Sequence, residues 1–237
     1  MVRPCLVAVV IIVSAGCTGD LSAVNRTPVC AEEPALWTDA DYQGLWDASG
    51  EPARAALERW ERDARCRVYL LRQQASEIAV DAEADVTALK AKAGQMTLKA
   101  AQVRDHLEGL LDNNVLAGNV ACPTDATGER PQRRDSTTLA KVCVRGEDHT
   151  VRLSKLLTTI ESHANFSAGD SAAAGVRAHA EHVLNCIQCT TPIDWDGNGD
   201  PQQMCGGDLG DYGLTGAGLG DYISLVVADV VDDVVGE

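Results

Sequence analysis

Residues 51–117, EPARAALERWERDARCRVYLLRQQASEIAVDAEADVTALKAKAGQMTLKAAQVRDHLEGLLDNNVLA, decide the fold. Ser49 can cap their start, Pro52 suits a first helical turn, and the next proline is Pro123. Apolar or small residues recur at Leu57, Trp60, Ala64, Val68, Leu71, Ala75, Ile78, Ala82, Val86, Leu89, Ala93, Met96, Ala100, Val103, Leu107 and Leu110. Steps of three and four, with an occasional extra four, predict a coiled-coil-like seam with stutters. Glu58 with Arg62 and Glu61 with Arg65 lie one turn apart on the wet side. A continuous helix of this length would run about 100 Å at 1.5 Å per residue. Gly94 is the place where it is expected to bend or break, because a mid-helix Gly costs roughly 1 kcal/mol against Ala. The alanines on the seam imply a close-packed partner helix.

Asn113 to Arg134 reads as a loop, with Asn113-Asn114, Gly118, Cys122-Pro123, Gly128 and Pro131. Helical spacing resumes at Leu153, Leu156, Leu157, Ile160 and Ala164, and again at Ala173, Val176, Ala180, Val183 and Ile187. Between these faces Asn165 to Asp170 reads as a break, with Asp170 or Ser171 recapping the second piece. Short connections favour antiparallel neighbours, so the second arm is expected to run back along the first. The fold class is therefore mainly α: a long antiparallel helical hairpin or small helical bundle. An irregular C-terminal cap, stabilised by disulfides and calcium, completes it.

The flanks differ in composition. Residues 18–49 are acidic and carry Pro28, Pro34 and turn formers, which predicts a mostly irregular tether. Trp37, Tyr42 and Trp46 are the exception and are expected to pack on the domain that follows. No Lys or Arg follows Arg177, and residues 206–220 are Gly-rich. Tyr222 to Val235 places Ile223, Val226, Val227, Val230, Val231 and Val234 at helical spacing, which reads as a short packed helix. It is too short and acidic to span a membrane.

At the other end, Arg3 precedes the apolar run Leu6 to Val13, followed by Ser14, Ala15, Gly16 and Cys17. Charge, short apolar core and small residues in that order make a secretory signal peptide. Ser14-Ala15-Gly16-Cys17 resembles the lipobox of bacterial lipoproteins, with Ser14 where that motif usually has Leu. The resemblance implies cleavage before Cys17, acylation of that residue, and attachment to the cell envelope, the outer membrane ahead of the inner. Ordinary cleavage after Ala15 is the rival. Lipidation of Cys17 leaves seven other thiols in the mature chain, and ordinary cleavage leaves eight. The organisation read from the chain is 1–16 signal peptide, 17–50 lipid-anchored acidic tether, 51–189 helical domain and 190–237 acidic cap.

A formal net charge of −15 disfavours binding to nucleic acid or anionic headgroups through bulk electrostatics. The cysteines that remain in an exported chain after signal cleavage are expected to form disulfides. Antiparallel arms would set Cys66 beside Cys186. Cys122 and Cys143 flank the loop and can meet across it, and Cys189 with Cys205 would close a loop around the acidic motif, leaving Cys30 unpaired.

That motif is Asp194-Trp195-Asp196-Gly197-Asn198-Gly199-Asp200. Oxygen side chains at alternate positions, with Gly at the sixth, resemble the start of an EF-hand, dockerin or thrombospondin type 3 calcium loop. The resemblance implies Asp194, Asp196, Asn198 and Asp200 as ligands, since Ca²⁺ takes six to eight hard oxygens. Cys205 stands where an EF-hand has its bidentate Glu, and Asp208 is the candidate replacement.

A second constellation is His179, His182, Cys186 and Cys189, spaced by three, four and three along one helix face. Two imidazoles and two thiolates suit zinc or copper, but the stripe spans about 15 Å, too far for one tetrahedral ion. Disulfides are the simpler use of these cysteines. Cys186-x-x-Cys189 is followed by Thr190, which excludes a haem attachment site. His106, His149 and His163 read as surface or seam residues. The sequence contains no P-loop, dinucleotide fingerprint, His-Glu-x-x-His or Gly-x-Ser-x-Gly elbow. The expectation is a non-enzymatic, lipid-anchored envelope protein with a structural, adhesive or partner-binding role, held to the membrane by Cys17 and binding a protein partner or itself. The rival is a periplasmic metal-handling or thiol-redox protein using the His/Cys stripe.

Overall fold

The computed structural model describes residue 30, residues 32–112, 143–144, 147–188 and 193–201, and positions 219, 220, 223, 224 and 227. For Trp46, residues 111–112, 143–144 and 147–155 it describes the backbone alone. The signal peptide, Cys17, the 113–134 loop, Cys122, Cys189 and Cys205 lie outside the described residues.

The chain is helical: α1 Asp39–Asp47, α2 Glu51–Ala79, α3 Val86–Asp112, α4 His149–Gly169 and α5 Ala173–Gln188. Two-residue strands, β1 Cys143–Val144 and β2 Glu147–Asp148, pair antiparallel just before α4. Helix α2 packs on α3, α3 on α4, α4 on α5, and α5 back on α2, which closes a small bundle. Most of the expected seam is its core: Leu57, Trp60, Leu71, Ile78, Leu89, Met96, Leu107 and Leu110 are all buried, while Ala82 is exposed and Val86 only partly buried. Leu156, Leu157, Ile160, Val176, Val183 and Ile187 meet them from α4 and α5.

The 51–117 stretch is not one arm. It folds on itself at residues 80–85, while Gly94 lies inside α3 with open space where a Cβ would be. Asp81 and Asp85 make the turn. Asp81 accepts from Ala84 N (3.1 Å) and holds Lys92 Nζ at 2.6 Å, and Asp85 accepts from Ala88 N (2.8 Å) as the N-terminal cap of α3. Short carboxylates that capture nearby amides outcompete the helix ladder, whereas an isolated Gly merely weakens it. The arms are antiparallel, with Lys92 facing Asp81 at the turn and Trp60 facing His106 farther along.

This fold-back also corrects the Cys66–Cys186 pairing. Cys66 is bonded to Cys30, with Cα atoms 5.5 Å apart. Cys186 is disulfide-bonded too, to a cysteine other than Cys66. The end of the tether is ordered rather than irregular. Thr38 and Asp41 form a reciprocal capping box that starts α1. As expected, Trp37 and Tyr42 are buried, with Leu45 beside them. At the other terminus positions 219–220, 223–224 and 227 are helical, and Leu219 and Ile223 are buried in the core. Arg65 donates to Ser224 Oγ at 2.7 Å. Among the described residues no helix is long and apolar enough to cross a membrane.

Candidate metal centres

Helices α4 and α5 form a tight antiparallel hairpin. Ser167 Oγ, buried, donates to Val176 O at 2.8 Å, and Ala164 and Ala180 let the backbones approach. The break is narrower than expected, covering only residues 170–172. Asp170 Oδ1 accepts from Ala172 N at 2.8 Å, and a Cβ on Gly175 would collide with that carboxylate. With the turn centred on Ser171, His163 and His179 are each eight residues from it and so face one another.

The result is a cluster of three imidazoles. His163 Nδ1 and His179 Nδ1 are 3.2 Å apart, and the His163 and His182 ring centroids are separated by 4.1 Å. One ring nitrogen from each of the three lies within 4.8 Å of the other two. All three side chains are partly buried. Burial, then the neighbouring His182 and His179, pushes His163 down to about 4, and burial followed by His179 lowers His182. At neutral pH these two rings are therefore uncharged. His182 Nδ1 is buried with no hydrogen-bond partner among the described residues. Phe166 sets its ring edge-on to His163 at 5.8 Å, and Asp170 Oδ2 stands 3.9 Å from His179 Nε2.

The sequence stripe thus resolves differently. His179 and His182 are together, but their companion is His163 from the facing helix, while Cys186 is taken by a disulfide and Cys189 lies outside the described residues. His163 was unreadable as a cluster member because its partnership depends on the α4–α5 register. The sequence reads 153–187 as one interrupted arm running back along the first, whereas α4 and α5 fold against each other at residues 170–172.

The acidic motif follows α5 and packs against a different part of that helix. Gly197 (φ 70°) and Gly199 (φ 85°) take left-handed conformations that favour glycine. Around them Asp194 accepts from Asn198 N and Gly199 N, Asp196 accepts from Asn198 N, and Asn198 Oδ1 accepts from Asp200 N. Glu181, fully buried on α5, accepts from Trp195 N (3.0 Å) and Asp196 N (3.2 Å). Asn185 adds paired bonds to Ile193 and accepts from Trp195 Nε1. Carboxylate oxygens of Glu181, Asp194 and Asp196 converge within 4.8 Å, a grouping that the Asp200 carboxylate does not join. Glu181 escaped the sequence reading because it precedes the loop and sits on a helix that reads as complete without it. Asp208 lies outside the described residues.

Three imidazoles make a nitrogen donor set for a borderline transition metal, and the carboxylate group makes an oxygen donor set for a hard cation. The chain matches no protein-family model, no curated protein and no solved structure.

Proposed function

We propose that this chain is a non-enzymatic, lipid-anchored protein of the bacterial cell envelope, whose helical bundle holds a protein partner or a second copy away from the membrane. The observation that carries the reading is how firmly residues 30–37 are fixed to the bundle. Cys30 is bonded to Cys66 on α2, and Arg67, buried, donates to the carbonyls of Pro34 and Ala35 at 2.7 and 2.8 Å. Glu33 reaches Lys99 on α3 at 3.3 Å, and Trp37 Nε1 donates to Asp63 at 2.9 Å. A tether acylated at Cys17 would therefore end on a rigid body about a dozen residues later, so any pull on the lipid loads the bundle itself. A disulfide at that junction suits an oxidising compartment.

The same reading assigns calcium to the acidic loop, with Glu181 supplying the carboxylate that the loop lacks at its twelfth position. The ion would clamp the cap to α5.

The test is made in a bacterial host with the native signal sequence. The wild-type chain is expected in the membrane fraction with a diacyl or triacyl mass on Cys17, and Cys17→Ser is expected in the soluble fraction. Crosslinking in whole envelopes should then recover one partner, or a dimer, in stoichiometric yield. An unacylated wild-type chain would overturn the anchor, and an exclusively monomeric crosslinking profile would overturn the partner-holding role.

A further inference from the structure

We propose that His163, His179 and His182 bind one borderline divalent transition-metal ion, of the zinc(II) or copper(II) class, through one ring nitrogen each. This site stands apart from the envelope role above and from the acidic loop.

Geometry carries it. In a tetrahedral zinc site with Zn–N bonds of about 2.05 Å, two ligand nitrogens stand roughly 3.3 Å apart. His163 Nδ1 and His179 Nδ1 are separated by 3.2 Å, and one ring nitrogen from each of the three histidines lies within 4.8 Å of the other two, so modest rotamer adjustment brings all three rings onto one ion. A hydrogen bond between the His163 and His179 rings accounts for the first contact alone. It leaves three rings crowded together and the buried His182 Nδ1 without a partner among the described residues.

The site is also held in place. His163 comes from α4 and the other two from α5, one turn apart, so the backbone of a tight hairpin sets the spacing. Asp170 is the positioning residue. It accepts from Ala172 N and lies against Gly175, and its Oδ2 stands 3.9 Å from His179 Nε2, a gap that a small side-chain rotation closes to a hydrogen bond when His179 ligates through Nδ1. A carboxylate on the outer nitrogen of a ligating imidazole fixes the tautomer and raises ligand basicity. An all-imidazole set with no thiolate selects zinc(II) or copper(II) over copper(I), since Cys186, one turn beyond His182, is bound in a disulfide. Three ligands leave a fourth coordination position for water or an exogenous ligand, in keeping with an exchangeable site rather than a closed structural one.

The experiment uses the full-length chain without a polyhistidine tag, stripped with chelator and dialysed. Zinc(II) and copper(II) are titrated calorimetrically in separate arms, with calcium present throughout to occupy any oxygen site. One equivalent of either metal is expected at micromolar affinity or tighter. His163→Gln, His179→Gln and His182→Gln should each weaken it by about 100-fold, and Asp170→Asn by about 10-fold. Asp194→Asn should leave it unchanged. Electron paramagnetic resonance of the copper-loaded wild-type chain should show hyperfine coupling to three nitrogens, a readout that requires no variant to fold. Binding weaker than about 100 μM, affinity unchanged in the histidine variants, or a copper spectrum with one nitrogen or none would overturn the proposal. Membrane location and crosslinked partners are read separately, so the two proposals can fail independently.

Discussion

Trp60 and His106 hold α2 and α3 together through a reciprocal contact. Trp60 Nε1 donates to the His106 carbonyl at 3.3 Å, His106 Nε2 lies 3.2 Å from the Trp60 carbonyl, and the rings stack at 5.5 Å. Tyr42 OH donates to the same His106 carbonyl at 3.2 Å, and Trp37 stands edge-on to the imidazole at 5.7 Å. This aromatic group is where the strap, α1 and the first hairpin meet.

His106 makes the fold acid-sensitive above the carboxylate range. Burial pushes it from its ordinary 6.5 down to about 4; Arg67 and Arg59 act in the same direction, against the Trp60 carbonyl and Asp63. Tyr42 faces the ring too, and its hydroxyl is pushed up to about 12, so it stays neutral in this range. The unfolded chain takes up a proton at His106 as pH falls below 6.5, whereas the folded chain resists until about 4. Stability is therefore full above 6.5, declines between 6.5 and 4, and levels off below 4, a loss of about 3 kcal/mol from this residue. Urea denaturation at pH 7.0, 5.5 and 4.5 should show it. His106→Gln should reduce the slope by about one proton, and an unchanged slope would exclude His106 as the source.

Gly109 is required by Tyr42. A Cβ there would lie 2.7 Å from Tyr42 Cζ and 2.8 Å from its hydroxyl, and the ring is hemmed in by Trp37 and His106. Gly109→Ala, usually favourable in a helix, is expected to destabilise by about 1–3 kcal/mol. Tyr42→Leu alone should also destabilise. The double variant should be less destabilised than the sum of the singles, and strict additivity would mean that the clash is relieved elsewhere.

The Cys30–Cys66 bond closes a loop with a sequence separation of 36. Loop-closure entropy for that length is worth about 4 kcal/mol. The Cys30→Ser/Cys66→Ser pair should lower the unfolding free energy by up to that amount, since Arg67 and Trp37 still hold part of the strap. Adding Arg67→Ala leaves the Pro34 and Ala35 carbonyls without their buried donor. The triple variant should then be cut first by protease within residues 30–37, detectable by mass spectrometry of early fragments. Equal protection in the variant and the wild type would mean that the strap is held by other contacts.

If calcium occupies the acidic loop, its removal should loosen the cap before the bundle. At a hundredfold excess over Kd the ion stabilises the bound state by roughly 2.7 kcal/mol. Chelation should expose residues beyond 190 to protease while the helical circular dichroism persists. Glu181→Gln should reproduce the effect in the presence of calcium. Identical cleavage rates with and without the ion would exclude calcium as the clamp.

Much of the core was legible from spacing alone. Leu57, Trp60, Leu71, Met96 and Leu107 follow the three-and-four rhythm that any amphipathic helix must have, and burial of that face is a property of the local sequence. The Thr38–Asp41 cap and the acidic loop with its two left-handed glycines are likewise short-range chemistry, written in neighbouring residues. The fold-back at 80–85 was not legible from periodicity, because both arms of a hairpin bury the same kind of stripe and the rhythm runs unbroken through the turn. Once it folds there, α3 packs beside α2 and Cys66 is bonded to Cys30 rather than to Cys186, and a second fold-back at 170–172, where one interrupted arm was expected, brings His163 onto His179. Glu181 joins Asp194 and Asp196 for the same reason. Helical character and buried faces are set within a few turns of chain. Which helices meet, and in what register, is set by the global packing of side chains far apart in sequence.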